Sequence, residues 1–151
     1  MKPLVARPVP KEFPISSDFG MRIHPITKAE KFHNGIDFAC PEGTEVRAVL
    51  DGTIKRVGYE NEGNHKQGFG LRVWQEVIIK EEYFLVVYAH LSETLVQEGD
   101  FMGQHSPIGK SGQTGSSSGP HLHIGMKADD TPTYLDMEFE DANKKEQPKD
   151  V

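Results

Sequence analysis

The sequence predicts a mostly β protein folded as a single compact antiparallel domain, and three observations carry that expectation. Apolar and polar residues alternate along several segments while helical periodicity is scarce. The 151 residues include 15 glycines and 10 prolines, spaced as turns between short strands require. The length suits one domain around one core.

In chain order, residues 1–12 carry three prolines and no uninterrupted apolar stretch, so they read as an N-terminal extension with no secretory signal visible. The domain itself is expected over 13–128. Residues 44–50 and 53–57 read as two strands joined at Asp51-Gly52, a strong local signal for a two-residue hairpin. Residues 59–70 are polar and glycine-bearing and read as a functional loop, the wall of a groove. Two segments rich in Val, Ile, Tyr and Phe, 71–79 and 83–90, flank Lys80-Glu81-Glu82 and predict a second, longer hairpin. Short extended pieces follow at 95–99 and 107–109. A Gly/Ser/Thr loop over 112–119 then leads into a strand over 121–126. Residues 129–151 read as an acidic C-terminal segment, partly disordered.

Charge and composition exclude several functions. The formal charge is −6, whereas binding nucleic-acid phosphates calls for a basic face. Eight of the acids lie from Lys127 onward, leaving fifteen acids against thirteen bases before it, so the body is nearly neutral and the acidity marks the terminal segment. The longest apolar run, 84–89, is far short of a membrane span. Cys40 is the only cysteine, which rules out an intramolecular disulfide and a thiolate metal cluster. Its apolar neighbours make it a small buried hydrophobe. A monomer with no nucleic-acid partner and no membrane insertion is expected.

Chemistry enters with the histidines, seven in all. In His121-Leu122-His123 the imidazoles are two residues apart, so on a strand both face one side with Leu122 turned inward. His33 and Asp37 are four apart with Gly35 between them, which brings an imidazole and a carboxylate to one side. Two nitrogens and one oxygen suit zinc, which in catalytic sites keeps three protein ligands and leaves the fourth position to water. Either pair alone is weak, since histidines commonly line a wet sheet face and His and Asp commonly meet at glycine turns; together they are strong. His65 and His105 sit in polar surroundings and read as surface residues, and Trp74 as core.

Three separated motifs, His33-Asn34-Gly35-Ile36-Asp37, Tyr88-Ala89-His90-Leu91 and residues 114–123 ending in Gly119-Pro120-His121-Leu122-His123, resemble those of the lysostaphin/LytM-type zinc peptidases, which hydrolyse peptidoglycan peptides. The resemblance runs from about Phe13 to Met126. It implies an antiparallel β-domain with a substrate groove over the central sheet. It further implies one Zn2+ per chain held by His33, Asp37 and His123, with His90 and His121 as unligated catalytic histidines. His121 is the expected general base and His90 the expected oxyanion stabiliser. Arg22 and His24, in Phe19-Gly20-Met21-Arg22-Ile23-His24-Pro25, resemble family members acting on diaminopimelate-type walls and are expected to contact substrate. The pattern departs after His123, where Ile124-Gly125-Met126 replaces an aromatic residue and a glutamate. No cofactor beyond the metal is implied. The place of action implied is the cell wall, reached by phage-type release from a host cytoplasm or by a domain excised from a secreted protein. The rival readings are cleavage of glycyl-glycine bridges and a non-catalytic wall- or partner-binding module.

Overall fold

The structure is a computed structural model that describes residues 2–23 and 25–140. Among these residues it contains strands and no α-helix. They are β1 (Leu4–Val5), β2 (Ile15–Ser17), β3 (Gly20–Ile23), β4 (Glu30–His33), β5 (Ile36–Phe38), β6 (Glu45–Arg47), β7 (Gly52–Tyr59), β8 (Leu71–Ile79), β9 (Glu82–Thr94), β10 (Phe101–Met102), β11 (Pro107–Ser111), β12 (Leu122–Ala128), β13 (Tyr134–Leu135) and β14 (Glu138–Phe139). The main sheet runs β10-β7-β8-β9-β12-β5-β2, with β11 joining β9 to β6 and β13 beside β12. Its pairings are antiparallel, as the alternation predicts. No helix is long and apolar enough to cross a membrane among the described residues.

The long hairpin forms as expected. Lys80 and Glu81 make its two-residue turn, both at positive φ (52° and 71°), the backbone whose twist matches the flanking strands. On β9, Val86, Tyr88 and Leu122 of neighbouring β12 are fully buried. The Tyr88 hydroxyl donates to Gln75 Oε1 (2.7 Å) and accepts from the Val49 amide (3.0 Å). A phenol with both hydrogen-bonding roles used can lie at the centre of a core.

The expected hairpin at Asp51-Gly52 does not form. β6 pairs with β11 and β7 with β8 and β10. Val46, Ala48 and Val49 are all fully buried, which an exposed hairpin arm could not satisfy. Asp51 instead accepts the Gln104 amide through Oδ1 (2.7 Å), and Ala48 exchanges hydrogen bonds with residues 105 and 106. Gly52 answers a different need: a Cβ there would collide with the Glu76 carbonyl oxygen, so it lets β7 approach β8. Residues 95–99 also form no strand.

The limits drawn at residues 12 and 128 do not coincide with the edge of the core. Val5, Ala6 and Val9 are buried, as are Met137 and Phe139. β1 and β14 pair in parallel, and the Phe139 ring meets Phe38 edge-on at 5.1 Å. Residues 2–9 and 134–139 therefore complete the same apolar cluster as the sheet, because that face of Phe38 would otherwise lie open to water. The frayed terminus expected over residues 143–151 lies outside the described residues. Trp74 is half-buried rather than core; on β8 it alternates with Val73 and Gln75 and so faces outward, beneath Phe69 and Lys127.

Candidate metal centre

Strand alternation places the first two polar groups. In β5, Ile36 and Phe38 point into the core and Asp37 points out; in β12, Leu122 and Ile124 point in and His123 points out. Asp37 and His123 are direct partners in the β5–β12 ladder, so their side chains share one face. His123 Nδ1 lies 2.9 Å from Asp37 Oδ1. His33 ends β4, and the short connection through Asn34 and Gly35 folds it back so that its Nε2 stands 3.3 Å from the same oxygen.

Gly35 makes this approach feasible. A Cβ at that position would overlap the Ile124 carbonyl and stand 2.6 Å from His123 Nε2. That ring nitrogen is buried without a hydrogen-bond partner.

One ligand atom each from His33, Asp37 and His123 lies within 4.8 Å of the others. Two donor atoms bound to one zinc at tetrahedral angles stand about 3.3 Å apart, given metal–nitrogen and metal–oxygen bonds near 2.0 Å. The separations from Asp37 Oδ1 match such edges, and the donor set of two imidazoles and one carboxylate is a zinc set. The residues therefore fit the metal. His33 Nδ1 donates to the Asp18 carbonyl (2.9 Å), which leaves the Nε2 lone pair free toward Asp37.

His90 and His121 border the cluster. Their rings lie 4.8 Å apart, and His121 Nε2 is 3.9 Å from Asp37 Oδ1. His90 has a positive φ of 62°, uncommon for a residue with a Cβ. It sits where β9 leaves β12 and takes up β11, beside a register shift against β8. Such an irregularity re-aims a side chain. The His90 amide donates to the Phe69 carbonyl (2.8 Å). Its Nδ1 donates to the Thr114 carbonyl (2.7 Å), and His121 Nδ1 donates to the Gly119 carbonyl (2.9 Å). A carbonyl only accepts, so each Nδ1 carries the proton and each neutral ring offers its lone pair at Nε2.

Charge follows the packing. Burial would raise the Asp37 carboxyl, but hydrogen bonds and attraction from His123 and His33 outweigh it and hold Asp37 well below the ordinary carboxylate range. Burial pulls His33 down, while Asp37 and the Asp18 carbonyl more than offset this and leave it raised. Burial dominates at His90, which is pushed down to about 4. His90 is accordingly neutral near pH 7.

These groups line an open groove of about 660 Å³ together with Arg22, Lys31, Phe32, Glu60, Phe69 and Ser116 to Ser118. Of the two residues expected to contact substrate, Arg22 lines this groove, whereas His24 lies outside the described residues. The loop 59–70 supplies Glu60, Gly68 and Phe69, the wall expected of it. His65 and His105 are exposed. The backbone carbonyls of Asp18, Thr114 and Gly119 escaped the sequence reading, because nothing in a sequence shows which carbonyl an imidazole will meet.

Residues 31–135 match the profile of Peptidase family M23. The chain belongs to this family. It is 38% identical over 118 residues to the peptidoglycan DD-endopeptidase ShyA of Vibrio cholerae, an alignment covering 77% of this chain and 25% of that protein. The chain thus spans about a quarter of the length of the curated relatives it matches. Among solved structures, the catalytic domain of the antimicrobial peptidase lysostaphin from Staphylococcus simulans shares 29% identity at a TM-score of 0.68, covering 83% of this chain and 89% of that one. A zinc-containing peptidase from Vibrio cholerae shares 32% identity at 0.70, covering 85% of this chain and 37% of that one. The lysostaphin-type resemblance, the β-domain with its groove, and a His-Asp-His cluster fit for a metal all stand.

Proposed function

We propose that this M23 domain is a zinc-dependent endopeptidase that hydrolyses peptide cross-links of bacterial peptidoglycan. The observation that carries the reading is the convergence of His33 Nε2, Asp37 Oδ1 and His123 Nδ1 on one groove floor, with two further imidazoles presenting Nε2 beside them. The domain is read to act at the cell wall as a monomer carrying one Zn2+.

A zinc ion held by His33, Asp37 and His123 would polarise the scissile carbonyl and acidify a water. His121, whose Nδ1 is occupied by the Gly119 carbonyl, can accept a proton at Nε2 and return it to the leaving nitrogen. His90, kept neutral by burial, takes a proton only transiently and is suited to orienting the attacking water. Once protonated, His121 can donate from Nε2 to an oxyanion. Of the sequence expectation, His121 as base is kept as the working assignment, whereas a neutral His90 whose N–H is taken by the Thr114 carbonyl is read to orient the attacking water in place of stabilising an oxyanion. Phe69 and Phe32 supply apolar groove walls beside these polar groups.

The D-alanyl-diaminopimelate cross-link is the preferred bond. Its support is the similarity to a protein named a DD-endopeptidase and the presence of Arg22 on the groove wall. Mass analysis of peptidoglycan digested by wild type and by His33→Ala, with bound zinc measured for each, tests the reading. Peptide fragments released by the wild type alone establish the endopeptidase and identify the bond. Stoichiometric zinc without any release would favour a binding module, and release confined to glycyl bridges would replace the preferred bond.

A further inference from the structure

The hairpin of β3 and β4 forms one wall of the groove, and its cross-strand register holds an unusual pair. Arg22 stands directly opposite Lys31, two pairs along from Gly20 opposite His33. Like charges placed opposite each other on one face repel. Both side chains line the groove. The positive charge of Arg22 is close enough to act on His33, where it opposes protonation.

Neither cation is neutralised. Among the described residues no carboxylate lies within ion-pair distance of either one, in a protein with six more acids than bases. Glu30, the neighbour of Lys31, lies on the opposite face of the hairpin. Arg22 Nη1 donates to Ser17 Oγ, which steadies the guanidinium and leaves its other N–H donors open. Two unpaired cations beside an imidazole and carboxylate cluster form a receptor for one anion at the edge of the reaction centre.

Resting on the endopeptidase reading, we propose that Arg22 and Lys31 clamp a free carboxylate next to the scissile amide, and so select cross-links whose leaving amine carries a carboxylate on the same carbon. A cross-link from D-alanine to diaminopimelate has this arrangement. Attachment to a lysine side chain or to glycine chains does not, and amidation of diaminopimelate abolishes it. The residues are specificity determinants and not proton-transfer groups. The chemistry they read is a carboxylate, which the glutamyl residue of the stem peptide could also supply.

The test uses three purified cross-linked muropeptide dimers: one unmodified, one amidated at the diaminopimelate carboxylate, and one amidated at the glutamyl carboxylate. kcat/KM is measured for wild type, Arg22→Gln, Lys31→Gln and Lys31→Glu, with bound zinc and melting temperature confirming that each variant folds. The expected result is a wild-type preference on the order of tenfold for the unmodified dimer over the diaminopimelate amide, the scale of an exposed charge-assisted contact. The glutamyl amide is cleaved as the unmodified dimer is. Both glutamine variants reduce the preference, mainly through KM, and Lys31→Glu brings it to one or below. Equal cleavage of all three dimers by the wild type overturns the clamp, as does a preference that survives in the glutamine variants or follows the glutamyl group instead. A zinc-loaded wild type that cleaves no dimer overturns the endopeptidase reading itself.

Discussion

The Nδ1 atom of His90 lies 2.7 Å from the carbonyl oxygen of Thr114, so the residue at the break in β9 is tethered to the loop that precedes β12. The tether extends through the same threonine: its hydroxyl donates to the Leu91 carbonyl (2.7 Å) and accepts the Leu71 amide (3.0 Å). Gly70 and Gly115 interlock behind it, each lying where a Cβ of the other would have to go. His90 is therefore held in one tautomer and one orientation by backbone from two loops.

Replacing His90 with Ala is expected to lower kcat by about 10²–10⁴, the usual range for a positioned acid, base or donor, while bound zinc stays stoichiometric. His121→Ala should behave alike. Turnover with purified peptidoglycan beside metal analysis checks both. Near-wild-type turnover in either variant would remove that histidine from the mechanism.

The depressed basicity of His90 has a signature in stability. Its folded-state pKa of about 4 lies below the ordinary 6.5, so between these values the unfolded chain binds a proton that the folded chain refuses. The stabilisation is complete above about pH 6.5 and is lost as pH falls toward 4, at most about 3 kcal/mol for this shift. The raised His33 works with opposite sign, losing its contribution as pH rises. Urea unfolding of metal-free wild type and His90→Asn between pH 7 and 4 separates the two: the variant should show the flatter decline. Parallel curves would mean that His90 is protonated normally in the folded protein.

Much of this site was legible because a strand repeats every two residues. Asp37 between Ile36 and Phe38, and His123 between Leu122 and Ile124, declare their outward face by the apolar residues on either side. The long hairpin was legible for the same reason. Asp51-Gly52 misled because its glycine serves a close strand approach, and local sequence cannot tell that need from a turn. Val5 and Phe139 were passed over because strands of two residues have no periodicity; only the pairing of the chain's two ends reveals them as core. Lys31 is visible as a charge, yet its position opposite Arg22 depends on register.

Removing the metal should destabilise the protein. A ligand present at a hundred times its Kd stabilises the folded state by about 2.7 kcal/mol, so chelation is expected to lower the melting temperature by several degrees and abolish hydrolysis. Added zinc should restore both. Asp37→Asn should bind zinc weakly and show little response to chelator. A melting temperature indifferent to chelator in the wild type would contradict a resident metal.

Gly35→Ala is expected to lose the metal site without touching a ligand. The added methyl would stand 2.6 Å from His123 Nε2 and overlap the Ile124 carbonyl, so the imidazole or the β5–β12 ladder must move. Overpacking of this kind costs about 1–3 kcal/mol. A zinc titration should show affinity reduced at least tenfold. Wild-type affinity would show that the turn can yield while His33 and Asp37 keep their places.

The chain's ends provide the last prediction. Phe139 is 4% exposed and packs edge-on against Phe38, and Phe to Ala changes in cores cost about 3–5 kcal/mol. Phe139→Ala should therefore lower urea stability by several kcal/mol, and a protein trimmed to residues 13–128 should fare worse, since it loses Val5, Val9 and Met137 together. If the trimmed protein unfolds at the wild-type midpoint, the two ends contribute nothing to the core they cover, and the parallel pairing of Leu4 and Val5 with Glu138 and Phe139 does not persist in solution.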